Sequence, residues 1–323
     1  MSDALLPDHS FAPKRVLITG ANGQVGWELQ KTALAGIEVI AQDRNSMDIR
    51  EQDQINKIIA ELSPDIVINA AAYTAVDKAE REPELAFAVN AAGAGYLAKA
   101  CHGQGVRLIH ISTDFVFDGT QAKSYLPGDL PNPLSVYGAS KLEGEKQVNK
   151  FTHGQAIIIR TAWVYSAHGN NFVKTMLRLF KERTELNVVV DQIGTPTWAN
   201  GLAHIIWKIM AKPNVRGIFH WADAGVASWY DFAVAIQEEA LMIGLLDKPI
   251  DIVPIPSTSY PLPAPRPSSV VLDKSSLFEM LDCVGNSFAS RHWRASLREM
   301  LKELRYGYSG QVEKGADPNG RAV

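Results

Sequence analysis

The chain has 323 residues, of which 46% are hydrophobic, enough for a substantial core and for two lobes. Lys and Arg total 32 against 35 Asp and Glu, a formal net charge of -3, so the charge balance favours neither a nucleic acid nor an anionic membrane as a partner. Cys101 and Cys283 lie far apart, which excludes a disulfide framework or a thiolate zinc site and fits a reducing cytoplasm. The eight histidines lack paired-ligand spacing, so no histidine metal site is predicted.

The two ends of the chain differ from its middle. Residues 1–13 contain Pro7 and Pro13 but no basic region followed by a long apolar core, so they predict a flexible leader rather than a secretory signal. Residues 307–323 include a stretch rich in Gly, Pro and charge, which predicts a flexible tail. No window reaches the roughly eighteen uninterrupted apolar residues that cross a bilayer. The sequence therefore predicts no membrane partner.

Through the first half of the chain, short β-branched runs alternate with longer amphipathic segments. Strands are predicted at 16–19, 37–41, 65–69, 106–111 and 156–160, and helices near 24–35, 51–62, 84–101 and 139–150. Such alternation requires right-handed crossovers and a parallel sheet covered by helices on both faces. Residues 14–165 are therefore predicted to form an α/β dinucleotide-binding domain with a doubly wound, Rossmann-like parallel sheet.

The second half is less regular. Its predicted elements are a helix near 171–183, a strand at 187–190, a helix at 198–211, a strand at 217–221 and a helix at 228–243. The proline-rich stretch 254–267 is predicted to be extended or turned, because proline lacks an N–H and fixes its backbone angle. We expect elements near 192–222 to return to the sheet. The remaining parts, 166–191 and 223–306, are predicted to form a smaller C-terminal lobe that binds substrate.

A glycine-rich turn follows the first predicted strand. Gly20, Gly23 and Gly26 form a G-x-x-G-x-x-G pattern between that strand and a helix. Glycine allows a tight turn and close approach to a phosphate, while the exposed N–H groups of the helix start face the anion. The pattern predicts a cradle for a nucleotide diphosphate, and an ordinary strand-to-helix turn is the alternative.

Asp43 follows the second predicted strand, about twenty residues after the turn, where a strand-helix-strand unit places a carboxylate beside the adenosine ribose. A carboxylate accepts a hydrogen bond from a ribose 2′-hydroxyl and repels a 2′-phosphate. The guanidinium of the next residue, Arg44, attracts that phosphate. Both NADH and NADPH therefore stay open as cofactors, and a solvated Asp–Arg pair at the end of a strand is the alternative.

In an open α/β sheet, ligands bind beyond the carboxyl ends of the strands. Small side chains in 69–74 would let a flat ring or a ribose lie against the backbone, although tight packing explains them nearly as well. The strand 106–111 runs into Ser112, Thr113 and Asp114, two hydroxyls and a carboxylate in place of an ordinary turn. Hydroxyls at this position can hold a carbonyl oxygen.

Tyr137 and Lys141 lie four positions apart near the start of a predicted helix, so the Lys141 ammonium comes near the phenol or near a ribose between the two. A nearby positive charge lowers the pKa of a tyrosine, which is about 10 when free, and brings proton donation closer to neutral pH. The pair predicts a proton donor with a helper. Most chance matches to a Y-x-x-x-K spacing are surface residues without a catalytic role. Here the spacing follows the glycine turn, Asp43 and the S-T-D sequence in chain order.

Together these residues resemble the extended short-chain dehydrogenase/reductase superfamily, and longer runs resemble the dTDP-4-dehydrorhamnose reductase family within it. The runs are G-A-N-G-Q-V-G-W-E-L from Gly20, N-A-A-A-Y-T-A-V-D-K-A-E from Asn69, S-T-D-F-V-F-D-G from Ser112, R-T-A-W-V-Y from Arg160, G-N-N-F-V from Gly169 and D-Q-I-G-T-P-T from Asp191. The similarity covers nearly the whole chain except its two ends.

The resemblance implies a reductase that passes a hydride from NADPH or NADH to C4 of a 4-keto dTDP-sugar, giving the 4-hydroxyl in the last step of dTDP-L-rhamnose synthesis. It implies that Tyr137 donates the proton and that Lys141 holds the nicotinamide ribose and lowers the pKa of the tyrosine. Thr113 would hydrogen-bond the keto oxygen as negative charge grows there.

Binding residues are predicted from the glycine turn and the family pattern together. Those for the cofactor are Gly20, Asn22, Gly23, Gln24, Val25, Gly26, Asp43, Arg44, Asp48, Ile49, Ala71, Ala72, Tyr73 and Ser112, with Tyr137 and Lys141. Those for the substrate are Thr74, Val76, Thr113, Asp114, Trp163 and Arg266. Arg266 is predicted to clamp the sugar diphosphate, with a solvated loop residue as an equal alternative.

Two departures from the family pattern bear on specificity and on metal binding. Phe115 stands where the family usually has tyrosine, so a hydroxyl near the substrate is missing. Some relatives hold a magnesium ion at a dimer contact through acidic side chains, and Glu28 and Asp191 match part of that pattern. Because the neighbouring Val190 is no ligand, no metal site is predicted. The resemblance leaves a homodimer open.

Two other functions stay open. Sugar-nucleotide epimerases and dehydratases use the same Tyr–Lys pair, but a 4,6-dehydratase would require an Asp–Glu pair after Thr113, where Asp114 and Phe115 stand. The regulatory beta subunit of methionine adenosyltransferase shares the fold and binds NADP without reductase turnover. Such a protein could lose its Thr-Tyr-Lys set without penalty, so the retention of Thr113, Tyr137 and Lys141 favours catalysis.

Overall fold

The computed structural model describes residues 15–281 and 290–307. The predicted leader, 1–13, and residues 308–323 of the predicted tail lie outside the described residues, as does Cys283. In the described part of the chain, no helix is both long enough and apolar enough to cross a membrane.

The described strands are β1 (Arg15–Thr19), β2 (Glu38–Gln42), β3 (Ile66–Asn69), β4 (Arg107–Thr113), β5 (Ile157–Thr161), β6 (Val164–Tyr165), β7 (Glu185–Val189), β8 (Ile193–Gly194), β9 (Thr197–Trp198), β10 (Gly217–His220), β11 (Ala227–Ser228) and β12 (Asp251–Ile255). The described α-helices are α1 (Gln24–Lys31), α2 (Gln52–Leu62), α3 (Val76–Ala79), α4 (Pro83–Phe87), α5 (Ala94–Gly103), α6 (Val136–Phe151), α7 (Phe172–Glu182), α8 (Ala199–Met210), α9 (Trp229–Met242), α10 (Ser275–Met280) and α11 (Trp293–Tyr306). Shorter turns are the π-helical Ala88–Gly93 and the 3-10 turns Asp114–Val116 and Ser257–Ser259.

Six of these strands form one parallel sheet in the order β10-β5-β4-β3-β1-β2. The register places Thr19 beside Asn69 and Thr113 beside Thr161, at the carboxyl edge of the sheet. The strand order reverses between β1 and β3, which is the switch point of the sheet. The loops that follow these two strands therefore open a crevice at that edge.

Apolar side chains alternate between the two faces of the sheet, because successive residues of a strand point to opposite sides. One face packs on α1 and α8 through Leu29 and Leu202. The opposite face packs on α2 and α5 through Ile55 and Leu97. Helices therefore cover both faces, and the predicted doubly wound parallel sheet is confirmed.

A second cluster of buried side chains, here called the aromatic core, lies among α7, α9 and α11. It includes Tyr165, Phe180, Phe232 and Trp293. Its strands form only two-stranded pairs: β7 with β12, β8 with β11 and β6 with β9. Because β12 lies at an edge, it accommodates Pro254, which has no N–H to donate to a further strand.

The sequence predicts a helix near 84–101, and the chain is helical over this whole stretch, although its middle is π-helical. The π-helical turn Ala88–Gly93 separates α4 from α5. Within this turn, Asn90 accepts a hydrogen bond from the Tyr73 backbone N–H at 2.8 Å and donates one to the Tyr73 carbonyl oxygen at 3.0 Å. The interruption thus accompanies a side-chain contact with the loop after β3, and such π turns occur frequently at functional sites.

Candidate active site

The glycine turn lies in the crevice between β1 and β3. A Cβ on Gly20, whose φ is +67°, would come within 2.7 Å of the Ala71 backbone. A Cβ on Gly26 would overlap the carbonyl oxygen of Gly20. Only glycine fits at either position, so β1, α1 and the loop after β3 approach one another closely. This is the backbone packing that a dinucleotide diphosphate requires.

A cavity of about 490 Å³ opens beside this turn. Its lining includes ten of the residues predicted to bind the cofactor, namely Gly20, Asn22, Gly23, Asp43, Arg44, Asp48, Ile49, Ala71, Ala72 and Tyr73. Met47, Leu85 and Val89 add apolar side chains to the lining. The sequence prediction missed these three, because nothing in their local pattern distinguishes them from core residues. The size and mixed lining of the cavity fit an adenine nucleoside.

Asp43 is held as an anion at one side of this cavity. Its Oδ1 accepts hydrogen bonds from the backbone N–H groups of Asn45 and Ser46, both at 3.0 Å, and its Oδ2 accepts one from the Asn22 side chain at 2.8 Å. The hydrogen bonds from Ser46 are the main reason that the pKa of Asp43 lies below its ordinary value. A fixed carboxylate here can accept from a ribose hydroxyl and repels a phosphate.

Arg44 is loosely held beside the same cavity. Its side chain is 72% exposed, and the distance from its Nε to Asp48 is 3.7 Å. Asp48 is bound more closely by Arg50, at 2.5 Å, and this hydrogen bond lowers the pKa of Asp48 to about 2. The Arg44 guanidinium can therefore turn toward a 2′-phosphate without leaving Asp48 uncompensated.

Thr113 and Tyr137 meet at the carboxyl edge of the sheet, where Thr113 ends β4 and Tyr137 lies in the first turn of α6. Thr113 favours ionisation of the phenol, but burial outweighs this and raises the pKa of Tyr137 to about 12, so the phenol carries its proton at neutral pH. Phe115 packs edge-on against the Tyr137 ring, with centroids 5.6 Å apart. Thr113 also donates to Asp114 Oδ1 at 3.0 Å, and burial raises the pKa of Asp114 to about 7.

Lys141 lies one turn after Tyr137 on α6 and is 2% exposed. Its Nζ donates to the Ile111 carbonyl oxygen at 2.6 Å, and burial lowers its pKa to about 8, so the ammonium persists at neutral pH. The sequence predicts that Lys141 lowers the pKa of Tyr137, and this effect of Lys141 stays a prediction. Burial of the phenol outweighs other influences, and the pKa rises.

A buried ion pair lies next to Lys141. Glu145, one turn further along α6, accepts hydrogen bonds from Arg160 of β5 at 2.7 and 2.9 Å. Ser112, predicted to line the cofactor path, donates to the same carboxylate at 2.5 Å, so its hydroxyl is engaged inside the protein. The sequence prediction missed Glu145 and gave Arg160 no role, although Arg160 begins one of the runs that carry the family resemblance.

The start of α1 is tied to the loop before α7. Gln24 accepts a hydrogen bond from the Asn171 side chain at 2.9 Å, and His168 Nε2 lies 3.0 Å from the Asn22 carbonyl oxygen. Val25 packs against the core on one face of the sheet. The sequence prediction missed Asn171 and His168 as neighbours of the glycine turn, because they lie more than a hundred residues away along the chain.

Arg266 is brought to the loop after β3. Its guanidinium forms a two-pronged ion pair with Asp77, at 2.5 and 2.7 Å, and its side chain is 16% exposed. Asp77 follows Val76 at the start of α3. The ion pair therefore brings Arg266 near Val76, and both of these residues are predicted to bind substrate. Thr74, also predicted to bind substrate, is exposed nearby in the chain. Asp77 was missed, although it belongs to the T-A-V-D-K-A-E run.

Trp163 lies at the same carboxyl edge as the hydroxyl pair. It comes two residues after Thr161, the strand neighbour of Thr113. Its φ is +42°, in the left-handed region that bulky residues seldom adopt. Such a conformation persists only where the surrounding contacts enforce it.

Glu28 and Asp191 have separate partners. Glu28 is fully buried and accepts hydrogen bonds from Ser166 at 2.7 Å and Asn200 at 3.1 Å. Asp191 accepts hydrogen bonds from the backbone N–H and the hydroxyl of Ser257. Among residues 15–281 and 290–307, no three His, Cys, Asp or Glu side chains form a group that could hold a metal ion.

The doubly wound sheet, the glycine turn at its switch point and the Thr113, Tyr137 and Lys141 arrangement are those of the extended short-chain dehydrogenase/reductase class. Residues 14–306 match the family model described as RmlD substrate binding domain. The chain belongs to the dTDP-4-dehydrorhamnose reductase family.

Known relatives cover most of the chain. It is 42% identical over 275 residues to a dTDP-4-dehydrorhamnose reductase of Burkholderia thailandensis, which covers 82% of this chain and 92% of that protein. A crystal structure of a dTDP-4-dehydrorhamnose reductase from Clostridium acetobutylicum is 41% identical, with a TM-score of 0.83 over 90% of this chain and 99% of that one. The reductase from Bacillus anthracis, in complex with NADP, is 36% identical, with a TM-score of 0.82 over 90% of this chain and all of that one.

Proposed function

We propose that this chain reduces the C4 keto group of dTDP-4-dehydro-L-rhamnose to give dTDP-L-rhamnose, with NADPH or NADH as the reductant. The observation that carries the proposal is the buried Tyr137 phenol beside Thr113 at the carboxyl edge of the sheet, next to the crevice where the strand order reverses. The names of the relatives and the NADP complex of the Bacillus anthracis enzyme support it.

The residues around the crevice fit a nicotinamide dinucleotide, because the glycine turn leaves no room for a Cβ at Gly20 or Gly26. When bound, the dinucleotide supplies a hydride to C4 of the sugar. The residues proposed to hold it are the glycine turn with Gln24 and Val25 for the diphosphate, Asp43 and Arg44 for the adenosine ribose, Asp48 and Ile49 for the adenine, Ala71, Ala72, Tyr73 and Ser112 along its path, and Lys141 for the nicotinamide ribose.

Tyr137 protonates the oxygen at C4. Its phenol is neutral at pH 7 because burial keeps its pKa high, and it donates its proton as negative charge develops on that oxygen. Thr113 donates a hydrogen bond to the same oxygen and stabilises the charge. The buried ammonium of Lys141, one helical turn away, stabilises the phenolate that remains.

The sugar nucleotide lies on the side of the site away from the adenosine cavity. Thr74, Val76, Asp114 and Trp163 contact it, and Arg266 binds its diphosphate while Asp77 holds the guanidinium in place. In this arrangement residues 14–165, with returning elements near 192–222, bind the dinucleotide. Residues 166–191 and 223–306 form the substrate lobe. We place the reaction in the cytoplasm.

The test combines purified protein with dTDP-4-dehydro-L-rhamnose and each reduced cofactor, following the loss of nicotinamide absorbance. Tyr137→Phe is expected to lower kcat by about 10² to 10⁴-fold while cofactor affinity is retained. Tyr306→Phe, at a tyrosine that is 69% exposed at the end of α11, is the matched control and is expected to behave as wild type.

Equal rates for wild type and Tyr137→Phe would reject Tyr137 as the proton donor. Binding of NADP without turnover of any 4-keto-sugar nucleotide would instead favour a regulatory NADP-binding protein. Release of a 4-epimer or a 4,6-dehydrated product would favour the epimerase or dehydratase alternatives.

A further inference from the structure

Two tryptophan rings stack where the main sheet meets the aromatic core. The centroids of Trp163 and Trp229 lie 3.5 Å apart, and the two ring planes differ by 5°. Trp163 follows β5 at the catalytic edge of the sheet, and Trp229 begins α9 directly after β11. Both side chains are partly exposed rather than fully buried. The stack therefore connects the reaction centre with the second half of the chain.

Three contacts hold Trp163 in its left-handed conformation. The backbone N–H of Thr197 donates to the Trp163 carbonyl oxygen at 3.1 Å. Gly194 leaves space for the indole, because a Cβ at that position would lie 2.5 Å from Cε2 of Trp163. Trp229 covers the ring by stacking. A backbone conformation that is costly for a bulky residue is thus stabilised by contacts from three separate segments.

Trp229 is itself fixed in orientation. Its Nε1 donates to Gln192 Oε1 at 3.2 Å, and Phe172 packs against it with centroids 4.7 Å apart. The short antiparallel pair of β8 and β11 links these features, because it places Ala227 opposite Gly194 just before Trp229 begins its helix. The pairing of β8 with β11 therefore positions both Gly194, which leaves space for the Trp163 indole, and Trp229, which stacks on that indole.

We propose that Trp229 is a positioning residue for the sugar nucleotide, because it holds the Trp163 indole in its strained conformation at the substrate side of the site. The proposal rests on the function proposed above, in which Trp163 contacts the substrate. Neither indole lines the adenosine cavity. Loss of the stack therefore weakens binding of the sugar nucleotide and leaves binding of the dinucleotide unchanged.

Steady-state kinetics separate the two ligands. Trp229→Leu is expected to raise the KM for dTDP-4-dehydro-L-rhamnose about tenfold, the size of a lost aromatic pair, with kcat and the KM for NADPH within about twofold of wild type. Trp229→Phe keeps an aromatic ring and restores most of the affinity. Trp198→Phe is the control, since Trp198 is partly buried in the same core but does not stack on Trp163.

Circular dichroism reports the stack, because two indoles in contact give an exciton couplet when their transition dipoles are skewed within the stacked planes. The couplet is expected in wild type and in Trp198→Phe and is lost in Trp229→Leu. A couplet that survives in Trp229→Leu overturns the proposal. An unchanged KM for the sugar nucleotide after the couplet is lost also overturns it.

Two further measurements test the role of Trp229. If Trp229→Leu fails to fold, Gly194→Ala displaces the Trp163 indole through the added methyl group and is expected to give the same rise in KM. Calorimetric titration with dTDP-L-rhamnose needs no turnover, and Trp229→Leu is expected to weaken this binding about tenfold. An inactive wild type refutes the proposed reduction, whereas equal product affinity in wild type and variant refutes the role of Trp229.

Discussion

The six-stranded sheet and the aromatic core are stabilised in different ways. In the sheet, β3 and β5 are buried at every residue and pair in regular parallel ladders. In the aromatic core, β6, β8, β9 and β11 are only two residues long, and ring stacking across distant segments supplies the connection. The residues proposed to transfer the proton lie at the edge of the sheet, while the proposed positioning of the sugar nucleotide depends on the aromatic core.

This difference has consequences for substitutions. A change in the sheet half meets rigid backbone or a charge that water cannot reach, so a large local penalty is expected. A change among the partly exposed side chains that pack against the aromatic core meets several partners, so smaller and more selective effects are expected. The three predictions below test this contrast, beginning with the largest effect.

Gly26→Ala tests the rigid backbone at the switch point. The added Cβ would overlap the Gly20 carbonyl oxygen and lie 2.9 Å from the Ala21 Cα, so the turn must shift. We expect NADPH affinity to fall at least about a hundredfold in a fluorescence titration, because such a shift misplaces the N–H groups that face the diphosphate. Gly103→Ala is the control, since its Cβ would meet nothing within 4 Å. Unaltered NADPH affinity in Gly26→Ala would contradict the proposed cradle.

Arg160→Met and Arg298→Met compare ion pairs of the two regions. The Arg160 and Glu145 side chains are 2% and 4% exposed, so Arg160→Met leaves a carboxylate without its cation in the interior. We expect the free energy of unfolding to fall by about 3 to 5 kcal/mol in a urea titration. Arg298 is 46% exposed and shares Glu239 with Arg294, so Arg298→Met is expected to cost clearly less. Equal losses in the two variants would show that burial does not distinguish these pairs.

The pH profile of the reaction tests the charge on Lys141. Its pKa of about 8 means that the ammonium is present below that pH and is lost as pH rises through it. If the charged form is required, kcat/KM falls by about tenfold per pH unit above 8. Tyr137, with a pKa of about 12, keeps its proton throughout this range. In Lys141→Arg the charge persists, so the decline should disappear even if the rate is lower. A flat wild-type profile between pH 7 and 10 would exclude this role.

Much of the sheet and its ligand crevice could be predicted from local pattern. Each strand of the first half is a short apolar run, and each such run predicts buried pairing wherever it lies in the chain. The glycine turn and the spacing of Tyr137 and Lys141 are equally local, because both depend on residues within one turn or one helix. The helix near 84–101 was predicted in the same way, but its π-helical middle was not, since that turn accompanies contacts between Asn90 and Tyr73 of a different segment.

The sequence alone determined the order of strands and helices, the glycine turn and the runs that mark the family, because these features depend on residue type and on spacing over a few positions. The tertiary structure decided the partners of Glu145, Arg266 and Trp163, since each partner lies on another segment that folding brings near. The rise in the pKa of Tyr137 belongs to the same group, because it measures how far the phenol is removed from water. Burial and long-range contact are properties of the packed molecule, and local spacing cannot specify them.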